Sequence, residues 1–231
     1  MKKTLLLAGV ACLLANQANA FDFSPYASAK LKYSMMDNSW DSNETDKTLY
    51  DDYQFNNSIN ADDKVFGGSI ALGLRTPLSS GAVRAEIEYS RNGDAKKSHT
   101  NDGEKFDIKL KNQTLLFNAY YDFNTNTALT PYVGAGLGVA RLKGTMNWVE
   151  ELDDGCSVGS GKSRTNFAWQ IGAGIAYNLN QNVAADLGYR YIDYGKLSKS
   201  SSEEYDWGGI TISNKIESKA HEIMLGLRYT F

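Results

Sequence analysis

Charged side chains alternate with apolar ones in several segments of this chain of 231 residues. Glu86 and Glu88 lie on one such segment, and a pair of carboxylates can act as general acid and base. Opposite charges that share a narrow interior can instead neutralise one another. Arg84, Glu86 and Glu88 follow one another at every second position, so they share one face of the segment. The sequence therefore favours this structural role. The charged positions of this kind are Lys30, Lys32, Arg84, Glu86, Glu88, Asp186, Arg190, Glu222 and Arg228.

Other candidates for catalysis are few. A nucleophile needs a base within its reach, and the histidines of the chain are His99, in a polar stretch, and His221, at the start of the last apolar segment. Neither stands in a recognisable nucleophile–base–carboxylate pattern, and His221 is expected to lie at an interface. The glycine run 134–138 lies inside an extended segment with no helix after it, so it does not predict a phosphate-binding loop. The sequence predicts no catalytic residue, metal ion or cofactor.

The elements that carry these residues are β-strands. Residues 221–231 alternate strictly between apolar and polar side chains, which is typical of a strand with one apolar face. Seven further segments show the same period: 25–35, 65–76, 82–90, 114–123, 132–142, 167–177 and 183–194. Three short turns and four long polar stretches connect them in alternation. An even number of strands with short periplasmic turns and longer external loops is the pattern of bacterial outer-membrane barrels.

One irregularity interrupts this pattern. Ile108 and Leu110 fall on the opposite parity to the apolar face of 114–123. A bulge within 111–114 is the favoured explanation, and a hairpin above the membrane is the alternative.

The charged face is expected to point into the barrel, because an Arg or Lys facing lipid at the midplane costs about 2–4 kcal/mol. Aromatic residues near the segment ends predict the two girdles of a spanning barrel. They are Tyr33, Tyr89, Phe167, Trp169 and Tyr191 on the outer side, and Phe123, Tyr177, Tyr229 and Phe231 on the periplasmic side. Glycines at 134, 136, 138, 172 and 174 share the charged face and leave room for large side chains from across the lumen. A filled lumen without an open pore is therefore expected.

The first residues predict export. A basic start, an apolar run over 5–14 and the Ala18-Asn-Ala20 ending are typical of a secretory signal peptide. Residues 1–20 are thus predicted to be removed, which leaves 21–231 as one barrel domain. Loss of Lys2 and Lys3 changes the formal net charge from −3 to −5, which argues against a nucleic-acid partner.

The long polar stretches contain the candidate binding residues. Trp and Tyr are enriched in interface hot spots, and exposed loops carry six of them: Trp40, Tyr50, Tyr53, Trp148, Tyr205 and Trp207. These side chains either contact a partner or pack the loops against each other. The acidic excess of 37–63 predicts a solvated surface, with attraction of a basic partner or bridging by divalent cations as the alternative.

Several stretches carry a family resemblance. They are Asn118-Ala-Tyr-Tyr-Asp-Phe123, Thr130-Pro-Tyr-Val-Gly-Ala-Gly-Leu-Gly-Val139, Gln170-Ile-Gly-Ala-Gly-Ile-Ala-Tyr177, Asp186-Leu-Gly-Tyr-Arg-Tyr191 and the closing Leu225-Gly-Leu-Arg-Tyr-Thr-Phe231. In these motifs the chain resembles the opacity-protein family of outer-membrane surface antigens. The resemblance implies an all-β, eight-stranded antiparallel transmembrane β-barrel, up-and-down, with four long extracellular loops that have adhesive or antigenic roles.

We therefore expect a non-enzymatic protein of the outer membrane of a Gram-negative bacterium, acting as an adhesin or surface antigen through its loops. A small porin-like or structural barrel without a specific ligand is the alternative, and an outer-membrane enzyme comes third. The expected partners are outer-membrane lipid and lipopolysaccharide, the assembly machinery that reads the C-terminal strand, and host-cell surface receptors.

Overall fold

The computed structural model describes residues 23–48, 52–60, 63–101, 104–150, 158–205 and 208–231. The predicted signal peptide, residues 1–20, lies outside the described residues, and its cleavage stays a prediction. Across the part of the chain that is described, no helix has the length and apolar character needed to cross a membrane.

The described residues form ten strands. They are β1 (Ser24–Thr48), β2 (Asp52–Asn60), β3 (Asp63–Leu78), β4 (Gly81–Asn92), β5 (Ala95–Asn101), β6 (Glu104–Phe123), β7 (Leu129–Glu150), β8 (Val158–Asn178), β9 (Val183–Tyr205) and β10 (Gly208–Thr230). All strands except β2 and β5 form the wall of the barrel, and β10 pairs antiparallel with β1 to close it. This arrangement confirms the predicted eight-stranded, up-and-down antiparallel barrel. Closure leaves no free sheet edge within the membrane.

The barrel strands are longer than their apolar segments. β1 was predicted over 25–35, yet it pairs with β3 up to Met36 and continues by pairing with β2 from Ser39 to Lys47. Backbone hydrogen bonds can extend a hairpin beyond the membrane without any alternation of apolar and polar side chains. The described parts of the long polar stretches are therefore paired strands that extend the barrel wall outward, where the sequence mainly predicted loops.

These extensions form two external sheets in the described part of the chain. β10 pairs with β1 as far as Thr48, so β9, β10, β1 and β2 make the first external sheet. β6 pairs with β7 as far as Glu104, so β5, β6, β7 and β8 make the second. Pairing between β8 and β9 reaches outward only to Trp169 and Asp193, which separates the two sheets on that side.

The bulge expected within 111–114 was wrong. β6 and β7 stay in one register from Glu104 to Asp122, through the whole of that segment. The irregularity lies on the adjoining segment at Gly93, which stands between β4 and β5 and whose N–H donates to Phe66 O at 2.6 Å. Ile108 and Leu110 pair with β5 in a hairpin, as the alternative prediction had it.

The two faces of the wall are as predicted. Leu31, Phe117 and Ile171 are more than half exposed on the outside, although they are apolar. The aromatic residues meet in pairs at both rims: Tyr33 lies 5.2 Å from Phe66 and Trp169 5.6 Å from Tyr191 on the outer side, with Tyr121–Phe123 and Tyr229–Phe231 on the other. An exposed apolar belt between two aromatic girdles is suited to the hydrocarbon core of a bilayer.

Candidate functional site

The structure brings the predicted charged residues together inside the barrel. Strands β1, β4, β9 and β10 direct their even-numbered charged side chains inward, because alternate side chains of a strand point to opposite faces. Eight of the nine residues are buried, and the Lys30 side chain is 12% exposed. The lumen is thus a polar core enclosed by a wall whose outer face is apolar.

Glu222 is the centre of the outer part of this network. Its carboxylate accepts from Arg190 Nε at 2.6 Å, Ser34 Oγ at 2.7 Å and the Tyr194 hydroxyl at 2.9 Å. Lys32 Nζ lies 3.3 Å from the same carboxylate and donates to Ser90 Oγ at 2.6 Å. Glu222 is fully buried, and this number of donors offsets the cost of removing its charge from solvent.

The two glutamates of β4 hold the middle of the lumen. Glu88 accepts from Arg190 Nη1 at 2.7 Å and from Lys30 Nζ at 2.8 Å. Glu86 accepts from Lys30 at 2.9 Å and from the hydroxyl groups of Tyr26 and Tyr120 at 2.9 and 3.0 Å. Both carboxylates are held by donors inside the lumen, an arrangement that serves charge pairing.

Arg84 and Asp122 form the main pair of the periplasmic half. Arg84 Nε lies 2.9 and 3.0 Å from the two Asp122 oxygens, and its guanidinium stacks 4.6 Å from the Tyr120 ring and 4.9 Å from the Tyr132 ring. Arg228 and Asp186 make a looser pair at 3.9 Å. Asp122 and Tyr120 share the inward parity of segment 114–123, but the sequence did not identify them as partners of Arg84 and Glu86.

Glycines provide the room that these side chains occupy. A Cβ at Gly136 would overlap the Asn118 amide, and one at Gly134 would overlap the Tyr120 ring. At Gly174 it would lie 2.5 Å from the Tyr132 hydroxyl. A gap beside Lys30, Arg84 and Arg190 holds about 10 Å³, roughly the space of a single water molecule.

An apolar layer covers the network on its outer side, and it was not predicted from the sequence. The buried members are Met36, Val65, Leu116, Ala140, Leu142, Ala168, Ile192, Tyr194 and Ala220. They occupy inward positions at the height where the strands leave the membrane. Leu116, Leu142 and Ile192 have the parity of inward-facing positions, and this parity was the signal for the layer in the sequence. It was overlooked because the inward face was expected to be polar along its whole length.

The filled lumen leads to a prediction about conduction. Purified protein in planar bilayers should give no large, stable conductance, because ion pairs and the apolar layer occupy the path. Single-channel recording checks this, with an open bacterial porin as the positive control. Regular current steps of porin size would contradict the filled lumen and favour the porin-like alternative.

The histidines lie apart from the lumenal carboxylates. The His221 side chain is exposed on the outer surface, where Nδ1 lies 2.5 Å from the Tyr189 hydroxyl and the ring packs 5.3 Å from Tyr191. This is the interfacial position that the sequence predicted. His99 lies on β5, paired with Phe106.

Four of the six candidate loop aromatics lie on described strands of the hairpins. By backbone pairing, Trp40 lies opposite Ile59 and Ile216, and Tyr205 lies opposite Gly208, all in the first external sheet. Tyr53 is paired with Asp46 in the same sheet, whereas Trp148 is paired with Phe106 in the second. Tyr50 and Trp207 lie outside the described residues.

A closed antiparallel barrel with an apolar belt, two aromatic girdles and a polar, filled interior defines a transmembrane β-barrel of the outer-membrane type. The family comparison agrees with this class. Residues 4–231 match the family described as "Outer membrane protein beta-barrel domain", and the chain belongs to this family. Its location is therefore the bacterial outer membrane.

Two relatives and one solved structure illustrate the similarity. Outer membrane protein PagN of Salmonella typhimurium is 32% identical over 177 residues, which cover 72% of this chain and 73% of the relative. The Rickettsia conorii protein named "Putative adhesin RC1281" is 31% identical over 180 residues, which cover 71% of this chain and 67% of that protein. The crystal structure of Neisserial surface protein A has a TM-score of 0.51 at 19% identity, covering 91% of this chain and 99% of that one. This last likeness concerns the fold.

Proposed function

We propose that this protein is an adhesin or surface antigen that contacts host-cell surfaces through its external hairpins, chiefly those of the first external sheet, with the barrel as their carrier. The observation that carries the proposal is the continuity of the hairpins with the barrel strands. β1 and β10 stay paired from Tyr26 to Thr48, so the first external sheet is fixed to a rigid wall. Recognition residues are disproportionately found on connections held by such a scaffold.

The relatives and the loop composition support the same function. One relative is named for adhesion, and PagN is named as an outer-membrane protein. Five of the six candidate contact residues belong to the connections of the first external sheet, namely Trp40, Tyr50, Tyr53, Tyr205 and Trp207. We assign them to partner contact, with packing between hairpins as the other role they could serve.

We also propose that the protein is not an enzyme. Glu86 and Glu88 each accept from basic donors inside the lumen, and His221 interacts with Tyr189 on the outer surface. A catalytic base must reach both a substrate and a nucleophile, and the positions of these side chains favour neither contact. The family relationship supports this reading, because the relatives compared above are named for the membrane or for adhesion.

Adherence of whole cells tests the main proposal. A non-adherent Gram-negative strain that displays the full-length chain should bind cultured host cells well above the empty-vector level. The control strain displays an unrelated eight-stranded barrel at the same surface level. Equal adherence of the two strains would refute the adhesin function.

The C-terminal residue gives a second prediction, which concerns the assembly machinery as a partner. Phe231 N–H donates to Pro25 O at 2.9 Å, and its ring packs 5.2 Å from that of Tyr229. Deletion of Phe231 should lower the amount of folded barrel in the outer membrane several-fold, because closure and recognition of the last strand both depend on it. The measurement is heat-modifiable mobility on unboiled gels, with Phe123→Ala as a girdle control. A normal amount of folded barrel after the deletion would contradict this role.

A further inference from the structure

The outward face of β4, β6, β7 and β8 changes from apolar to basic between two rows of residues. The strand pairing aligns one row across the four strands: Tyr89, Leu115, Val139 and Phe167. All four of these side chains are exposed on the lipid side. Two residues further outward on each strand, the next aligned row is Arg91, Gln113, Arg141 and Thr165. The boundary between these rows marks the outer edge of the apolar belt.

The basic side of this boundary extends by one more row. Lys111 lies directly opposite Lys143 across β6 and β7, on the same outward face. We call Arg91, Lys111, Arg141 and Lys143 the outer basic patch. Asp94 Oδ2 lies 4.0 Å from Lys111 Nζ, and Arg141 Nε donates to Ser163 Oγ at 2.9 Å. Among the described residues, Arg91, Arg141 and Lys143 make no ion pair with a carboxylate.

The opposite side of the barrel is different at the same level. There Lys196 and Lys219 both contact Glu217, at 2.8 and 3.5 Å. Asp37 and Asp193 lie on the neighbouring stretches of β1 and β9. Cations are therefore balanced by carboxylates on that side, whereas the outer basic patch carries a local positive excess on a chain with a formal net charge of −3.

We propose that the outer basic patch binds the phosphorylated headgroup of lipopolysaccharide, the glycolipid of the outer leaflet. Phosphate groups of that leaflet lie just beyond the hydrocarbon, which is the level of the patch. Arginine binds phosphate through two parallel N–H donors, and lysine supplies further charge. Arg91 and Arg141 are two strand spacings apart, about 10 Å, so the patch can bind more than one phosphate of a headgroup. The apolar row that begins at Tyr89 faces the acyl chains below.

This inference depends on the outer-membrane location and not on the adhesin proposal, so the two can fail separately. The test is a calorimetric titration of the full-length barrel, refolded in detergent micelles, with purified lipopolysaccharide. The charge-removing variant is R91Q/R141Q, and the matched control is K196Q/K219Q, which removes two outward cations from the balanced side. Heat-modifiable mobility verifies folding, and K111Q/K143Q carries the same test if the first variant does not fold.

The patch variant should bind lipopolysaccharide about tenfold or more weakly than the wild type, because each surface cation contributes separately to attraction by an anionic leaflet. The control should stay within about twofold, since its cations already contact Glu217. Dephosphorylated lipopolysaccharide should bind the wild type as weakly as the intact glycolipid binds the patch variant. Equal loss in the patch and control variants would overturn the proposal, as would undiminished binding by the patch variant. Competition by inorganic phosphate at matched phosphate concentration would also overturn it, by assigning the patch to free phosphate.

Discussion

Replacement of Arg190 by leucine is expected to destabilise the folded barrel by about 3–5 kcal/mol. Arg190 bridges Glu88 at 2.7 Å and Glu222 at 2.6 Å, and its side chain is 1% exposed. Its loss leaves two buried carboxylates short of a partner, and the leucine cannot replace the guanidinium donors. The cost of an uncompensated buried charge is greater than the gain from an added apolar side chain.

Urea unfolding in detergent micelles measures this effect. R190K keeps the charge but lacks the two separate guanidinium nitrogens that bridge Glu88 and Glu222. Its loss of stability should therefore be intermediate. R91L is the matched control, because it makes the same chemical change on the exposed outer surface and should shift stability by about 0.5 kcal/mol or less. Equal unfolding midpoints for R190L and R91L would show that the lumenal network does not stabilise the barrel.

The wall of the barrel could be predicted from the sequence because every second side chain of a strand faces the lipid and must be apolar. Leu31 and Leu225 must face lipid while Lys32 and Glu222 cannot, so period two identified both strands and faces. Alternation of short and long connections then gave the number of strands and the side on which the hairpins project. The same alternation could not show where the strands end, because β1 continues beyond the lipid as a backbone-paired hairpin.

The pairing inside the lumen could not be predicted in the same way. Arg190 on β9 reaches Glu88 on β4, residues 102 positions apart on strands that are not neighbours. Such a contact depends on the register and tilt of the whole barrel, which alternation does not specify. The apolar layer around Leu116 and Ile192 was missed for a related reason, since the level of a residue within the lumen follows from register.

Removal of the first external sheet is expected to abolish adherence while the barrel still folds. Ser39 lies opposite Asn60, and Lys199 lies opposite Asn214, so each pair can be joined by an Asn-Gly turn after deletion of 40–59 and 200–213. The deletions remove five of the six candidate aromatics and most of the acidic excess of 37–63. Barrel pairing from Tyr26 to Met36 with β10 remains intact, and shorter polar connections cost little loop-closure free energy.

The matched control removes the second external sheet. Lys96 lies opposite Lys109, and Thr145 lies opposite Gly161, so deletion of 97–108 and 146–160 leaves paired ends of the same kind. This variant loses Trp148 alone among the six candidates, and it should keep most of the adherence of the intact protein. Both variants should show heat-modifiable mobility like that of the full-length chain.

Adherence of three strains to cultured host cells is the most direct test of a barrel that carries a binding surface. The strains display equal, folded amounts of the intact chain, the chain without the first external sheet and the chain without the second. The expected result is binding at the empty-vector level for the strain that lacks the first external sheet, and near-normal binding for the strain that lacks the second. Undiminished adherence by a folded barrel without the first external sheet would contradict the assignment of binding to that sheet.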